Sequence, residues 1–229
     1  GMILVGITGT LGAGKGTIVD CLKEKGFAHY SVRDFLVEEI EKRGLEVNRD
    51  SMTEVANSLR KEHGADYIVR CIEQKALTKG VNCVIESIRN PKEVELLRKS
   101  GNFYLFSVDA DLEKRYERIK LRKSATDNVD FDTFVANEQR EMSSNGENEQ
   151  NIGSCMKMAD YTFLNNSDME ALKMQVEEVL YKIERKLRPS WDEYFMELAD
   201  AASKRATCDR GRSGCVVVKD RQVLVTGYV

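Results

Sequence analysis

Lys15 stands in a run of small residues, Gly9-Thr-Leu-Gly-Ala-Gly-Lys15-Gly-Thr17, preceded by the apolar Met2-Ile-Leu-Val-Gly-Ile7 and followed by the helix-forming Thr17-Ile-Val-Asp-Cys-Leu-Lys. An apolar strand, a glycine-rich turn and a helix N-terminus together aim several backbone N–H groups and the positive end of a helix dipole at one anion. Gly9, Gly12, Gly14 and Gly16, with the small Ala13 among them, let the backbone approach that anion without a side chain in the way. Lys15 can then reach the outer phosphates of a triphosphate, where phosphoryl transfer needs charge neutralised. The chemistry expected is ATP binding over residues 9–17, with Lys15 as a catalytic charge. A purely structural glycine turn is the rival reading.

The spacing departs from the general phosphate-loop pattern at one place: Gly16 intervenes between Lys15 and Thr17. This Gly-Lys-Gly-Thr form resembles the loop of adenylate kinase and other nucleoside monophosphate kinases. The resemblance implies a magnesium ion held mostly by water and phosphate oxygens, with Thr17 a weak ligand.

Further charged residues cluster where strands are expected to end. Residues 27–31 read as a short strand, which puts Ser31, Arg33 and Asp34 at its carboxyl end, the edge where ligands sit in an open parallel sheet. Arg33 and Ser31 are candidates for holding an acceptor phosphate. Asp34 either orients or deprotonates the acceptor or is a helix N-terminal carboxylate. Residues 81–87 read as a buried strand ending in Glu86, placed to orient magnesium-bound water beside the loop, with an ion pair to Lys15 or Arg89 as its alternative. Arg89 would face the acceptor phosphate, and Asn90 and Pro91 start a helix. Ser51-Met-Thr-Glu54 reads as a capping box that begins a helix running to Gly64, and a further helix follows with Ile68, Val69, Ile72 and Leu77. Arg60 and Arg70 on these two helices are candidate phosphate ligands or surface arginines.

Residues 103–109 are another strand. The helix after it carries Arg115, Arg118 and Arg122 at i, i+3 and i+7, one face that would stabilise transferred phosphates as a lid, unless it is only a solvated face. Residues 130–142 read as helix and residues 143–154 as a polar, mobile stretch. Residues 160–165 form a fifth strand, with Asn165 and Asn166 at its end for an adenine base or simply for a turn. A long amphipathic helix follows, with a stripe of Leu172, Val176, Val179, Leu180, Ile183 and Leu187.

Alternating strands and helices imply an α/β fold, three layers around a parallel sheet of about five strands. Residues 2–187 resemble a nucleoside monophosphate kinase domain, with a nearer likeness to the dephospho-coenzyme A kinase-like nucleotide kinases through Ser-Val-x-Asp, Ile-Arg-Asn-Pro-x-Glu and Arg-Tyr-Glu-Arg-Ile. The resemblance implies ATP-dependent transfer to a nucleotide acceptor.

A second unit is expected over residues 188–229. Pro189 breaks the long helix, Ser190 caps a new one, and residues 214–219 and 223–228 pattern as a hairpin. The stretch Arg188-Pro-Ser-Trp-Asp-Glu-Tyr-Phe-Met-Glu-Leu-Ala199, with Gly214-Cys-Val-Val-Val-Lys219 and Thr226-Gly-Tyr228, resembles the opening of deoxycytidylate deaminase. That family's zinc chemistry needs His-x-Glu and Pro-Cys-x-x-Cys, and neither occurs here, so deamination and zinc are not expected of this chain. The alternative to a kinase is therefore a nucleotide-sensing module that regulates or assembles a deaminase.

The chain has 229 residues, 41% hydrophobic and 32% charged, with a formal charge of −3, which suits a globular protein and gives no basic excess for nucleic acid or membrane surfaces. No apolar run approaches the roughly 18 residues of a membrane span, so a cytoplasmic protein is expected. The six cysteines lack metal-ligand spacing. The hairpin edge is a candidate for homo-oligomer contact.

Overall fold

The computed structural model describes residues 1–122, 130–142, 151–206 and 211–229. The chain divides into two compact units, Gly1–Val179 and Leu180–Val229.

The first unit begins with β1 (Leu4–Gly9), whose six residues are all buried, as a central parallel strand requires. The chain turns at Gly14 (φ 113°) straight into α1 (Lys15–Glu24), which has no side-chain cap at its N-terminus. The short β2 (Ala28–Ser31) runs into α2 (Val32–Lys42), where the Ser31 hydroxyl accepts the Asp34 N–H at 3.0 Å. Next come α3 (Arg49–His63) and α4 (Tyr67–Lys79). The start of α3 differs from the sequence expectation. Asn48 is the N-cap, accepting the Ser51 N–H at 2.8 Å, and Ser51 closes the box by accepting the Asn48 N–H at 3.0 Å. An amide and a hydroxyl thus take the roles that the sequence pattern assigns to Ser51 and Glu54. Ile68, Val69 and Ile72 are buried as expected, whereas Leu77 is exposed.

β3 (Cys83–Glu86) leads to α5 (Pro91–Arg98), capped by Asn90 with Glu93 as reciprocal partner. After β4 (Phe103–Asp109) come α6 (Leu112–Leu121), α7 (Phe131–Met142) and α8 (Ile152–Lys157), then β5 (Tyr161–Leu164) and the start of α9 (Met169–Leu187). Part of the stretch expected to be polar and mobile is ordered. Residues 152–157 form α8, with Ile152 and Cys155 buried, because Asn151 caps it through the Ser154 N–H at 3.0 Å. Residues 143–150, and residues 123–129 that would continue a lid beyond Arg122, lie outside the described residues.

The five strands form one parallel sheet in the order β2-β3-β1-β4-β5. β1 therefore has β3 on one side and β4 on the other, and every strand delivers its carboxyl end to the same edge. Leu4, Ile85, Leu105, Ile40, Ile68 and Ile72 belong to one apolar cluster that joins the sheet to the helices.

In the second unit α10 (Trp191–Ser203) is capped by Ser190 and packs on an antiparallel hairpin of β6 (Gly214–Lys219) and β7 (Gln222–Tyr228). A Cβ at Gly214 would stand 2.0 Å from the Ala199 carbonyl oxygen, so glycine sets how closely the strand approaches the helix. Asp220 and Arg221 make the turn at φ 50° and 60°, the handedness that tight hairpins favour. Among the described residues no helix is long and apolar enough to cross a membrane.

Candidate functional site

The glycine loop is held by its neighbours. A Cβ at Gly9 (φ 151°) would lie 2.2 Å from the Val108 carbonyl oxygen, one at Gly12 (φ 80°) 2.7 Å from the Arg115 oxygen, and one at Gly14 (φ 113°) 2.5 Å from Asn165 Nδ2. These three glycines let the loop press against β4, α6 and residue 165. Gly16 differs, because among the described residues nothing lies within 4 Å of its missing side chain. The N-terminus of α1 thus opens on unfilled space, as an anion cradle requires. Lys15 lies back across the loop, donating from Nζ to the oxygens of Gly9 at 3.1 Å and Thr10 at 2.9 Å. Thr17 follows within the first turn of α1.

The other strand ends bring their side chains to the same edge. Register sets Ser31 beside Glu86 and Glu86 beside Ile7, two residues before the loop begins. Glu86 holds the expected position next to β1, but its partner is His29, whose Nε2 is 2.8 Å from Oε2, in place of the expected Lys15 or Arg89. Arg33 and Asp34 occupy the first turn of α2, both exposed, with Arg33 Nη1 3.6 Å from the Met52 sulfur. Arg70 is turned to the α3–α4 corner, donating to the His63 oxygen at 3.2 Å and stacked over Tyr67, away from a phosphate-binding role.

The arginines of α6 do not form one solvent-facing row. Arg115 is buried, 5% exposed, donating to the Ala110 oxygen at 2.8 Å and the Leu11 oxygen at 3.3 Å and pairing with Glu138 at 2.7 Å. Its role is to brace the loop and α7. Arg118 bridges the loop to the end of β5, with Nη1 3.3 Å from the Gly12 oxygen and Nη2 2.6 Å from the Asn165 oxygen. Arg122 caps α6 and is exposed. Asn165, expected at a base, is buried and spends its amide on the Ala13 oxygen at 2.8 Å.

Two residues that sequence reasoning misses belong here. Asp109 ends β4 and accepts the Thr10 hydroxyl at 2.7 Å and the Ala110 N–H at 2.8 Å. Its signal is a terminal acid on an apolar strand, the same signal that singles out Glu86. Glu93 is 2% exposed and accepts the N–H groups of Arg89 at 3.1 Å and Asn90 at 2.9 Å through Oε1. Burial pushes its carboxyl up from the ordinary range, against the pull of those N–H groups and the charges of Arg60 and Arg89.

These residues fit a nucleotide triphosphate, through the open α1 N-terminus and Lys15. Among the described residues no group of three or more His, Cys, Asp or Glu side chains could hold a metal ion. A magnesium ion bound with the phosphates would have Thr17, in the first turn of α1, and Glu86, at the end of β3, as its candidate protein groups, with phosphate oxygens and water completing its shell.

The AAA domain family matches residues 5–150. A UPF0200 protein of Methanococcus vannielii is 31% identical over 185 residues, covering 80% of this chain and 97% of the relative. A UPF0200 protein of Methanocaldococcus jannaschii is also 31% identical, over 80% of this chain and 91% of its own. Among solved structures, TT1252 from Thermus thermophilus superposes with a TM-score of 0.53 at 18% identity, over 82% of this chain and 99% of its own. Shikimate kinase from Bacteroides thetaiotaomicron superposes with a TM-score of 0.50 at 14% identity, over 80% and 99%. The structural likenesses establish the fold, a P-loop kinase-like α/β sheet.

Proposed function

We propose a function for this chain, which belongs to the UPF0200 and AAA domain families: it transfers the γ-phosphoryl group of ATP to a nucleoside monophosphate or a similar acceptor. The observation that carries the reading is the α1 N-terminus, open at Gly16, with Lys15 across it and Glu86 and Asp109 on the two flanking strands.

In this reading the loop N–H groups and Lys15 bind the phosphates of ATP, and Lys15 leaves the Gly9 and Thr10 oxygens for the outer phosphate. Magnesium, when bound, would neutralise phosphate charge, with Thr17 and Glu86 as its protein neighbours. Ser31, Arg33, Arg60 and Arg89 hold the acceptor, and Asp34 orients the attacking oxygen or takes its proton. Arg118 and Arg122 counter the charge that develops on the transferring group. Positioning and electrostatics supply most of the rate, because phosphoryl transfer asks for little covalent help from the protein.

The test is ADP production from ATP and magnesium with a panel of nucleoside monophosphates and dephospho-coenzyme A, beside Lys15→Ala. Turnover with one acceptor, lowered about 10²–10³-fold or more in the variant, supports the proposal. ATP binding with no turnover on any acceptor supports a second reading, a nucleotide-sensing domain for a deoxycytidylate deaminase. That reading is favoured by residues 180–229, which fold as their own compact helix-and-hairpin unit and contain the deaminase-like stretch. The exposed Val223, Leu224 and Val225 of its hairpin are proposed as an association surface; an unchanged molecular mass by light scattering in Leu224→Lys would remove that idea.

A further inference from the structure

Glu86 is held from three directions. Its backbone is set beside Ile7 by the β1–β3 register, and the chain then leaves β3 through Ser87 at φ 72°, a conformation that non-glycine residues rarely adopt and that the surroundings must enforce. The Ile88 N–H returns to the Ile7 oxygen at 3.0 Å, so the backbone on both sides of Glu86 is tied to the strand that carries the phosphate loop. A strand spacing of about 4.8 Å and a rise of about 3.3 Å per residue put the Glu86 Cα about 8 Å from that of Gly9, where the loop begins. The third hold is on the side chain: His29, two residues before the end of β2, brings Nε2 to 2.8 Å from Glu86 Oε2.

This pair does more than join two strands. β2 and β3 are already joined along a parallel ladder from Ala28 and Cys83 to Ser31 and Glu86. The two side chains stay 24% and 25% exposed, at the edge where ligands of an open parallel sheet sit. Their bond engages one carboxylate oxygen, and Oε1 has no hydrogen-bond partner among the described residues. The type of partner matters as well. An arginine or lysine would bring a permanent charge that competes with a cation for this carboxylate, whereas an imidazole N–H fixes it by a directed bond and brings no permanent charge. Outer partners of this kind orient the groups that face a metal ion.

We propose that His29 is a positioning residue for the magnesium complex of ATP: it holds Glu86 by Oε2, so that Oε1 is left to face the water shell of a magnesium ion carried in on the phosphates. The inference rests on ATP binding at the loop, as in the proposed function, but not on transfer to an acceptor.

Calorimetric titration of the full chain with ATP, once with magnesium and once with EDTA, tests it. In the wild-type chain magnesium should tighten ATP binding at least about tenfold. His29→Ala should lose most of that gain, about tenfold in affinity, while ATP affinity in EDTA stays within about twofold of the wild type. His29→Gln, whose side-chain N–H can stand where Nε2 stands, should keep the gain. In a Glu86→Gln chain, His29→Ala should cost nothing further. An equal loss with and without magnesium would make the pair a staple of the sheet, and an undiminished gain in His29→Ala would make it idle. Either result overturns the proposal, as does a loss in His29→Gln as large as in His29→Ala, or a wild-type affinity for ATP that ignores magnesium. Should His29→Ala not fold, His29→Asn, polar but too short to reach Oε2, takes its place with the same expectations. ATP binding with a magnesium gain indifferent to His29 overturns this inference and leaves the proposed function standing. A gain that depends on His29, with no ADP formed on any acceptor, refutes the transfer and leaves the positioning of Glu86 standing. No ATP binding in either buffer removes both.

Discussion

The Thr10 hydroxyl donates to Asp109 Oδ1 at 2.7 Å, tying the phosphate loop that leaves β1 to the end of the neighbouring strand β4. The same oxygen takes the Ala110 N–H and lies 3.7 Å from Arg115 Nε, so one carboxylate fixes the loop, the β4–α6 turn and the first turns of α6. Asp109→Ala leaves a hydroxyl and an N–H without their acceptor. We expect a loss of about 1–3 kcal/mol in denaturant unfolding, together with weaker ATP binding by titration. Wild-type values for both would mean that the loop holds its shape without this tie.

The glycines of the loop should separate shape from ligand binding. At Gly9 an added Cβ would meet backbone 2.2 Å away, at a φ of 151°. Gly9→Ala is therefore expected to lower stability by several kcal/mol or prevent folding. At Gly16 the space is open and the residue is helical, so Gly16→Ala should keep or raise stability by up to about 1 kcal/mol. ATP affinity should nevertheless fall, because the new methyl group projects into the cradle. Unimpaired ATP binding in a stable Gly16→Ala chain would place the nucleotide elsewhere.

The strand–loop–helix unit and the parallel sheet are legible in the sequence because glycine spacing, apolar runs and caps act over a few residues. What is not legible depends on how elements face one another. Periodicity groups Arg115, Arg118 and Arg122 on one side of α6, but only the packing of α6 against Gly12 and α7 decides that Arg115 points inward. Asn165 reads the same as a base ligand or a turn residue until the Ala13 oxygen is found beside it. The burial of Glu93, on the inner side of α5, likewise depends on how α5 meets its neighbours, among them α8 with the buried Cys155, and α8 begins inside the stretch expected to be polar and mobile.

Glu93 should also be visible in the pH dependence of stability. Burial raises its folded-state pKa above the unfolded value, so the folded chain binds this proton more tightly than the unfolded chain does. The associated stability is fully present below the unfolded pKa and is lost as pH rises through the folded-state pKa. Glu93→Gln does not titrate and escapes that loss. Urea unfolding of both chains from acid to neutral pH should show the variant gaining on the wild type as pH rises. A constant difference across the range would mean that the carboxylate is as well solvated as in the unfolded chain.

Arg115 and Glu138 should hold α7 in place. The guanidinium is 2.7 Å from the Glu138 carboxylate with both side chains largely buried, and it stacks over Phe134, the buried aromatic of the same helix. Removing one partner of such a pair leaves the other charge buried and costs about 3–5 kcal/mol where nothing else compensates. Asp109 stays close to Arg115 and compensates in part, so Glu138→Gln should cost less, about 1–3 kcal/mol. The loss should be local. Amide hydrogen exchange over residues 131–142 should speed up in the variant while that of β1 and β4 keeps its protection. Uniform acceleration across the sheet would instead show α7 to be part of the same cooperative unit as the phosphate loop, and unchanged exchange would show that Phe134 alone anchors it.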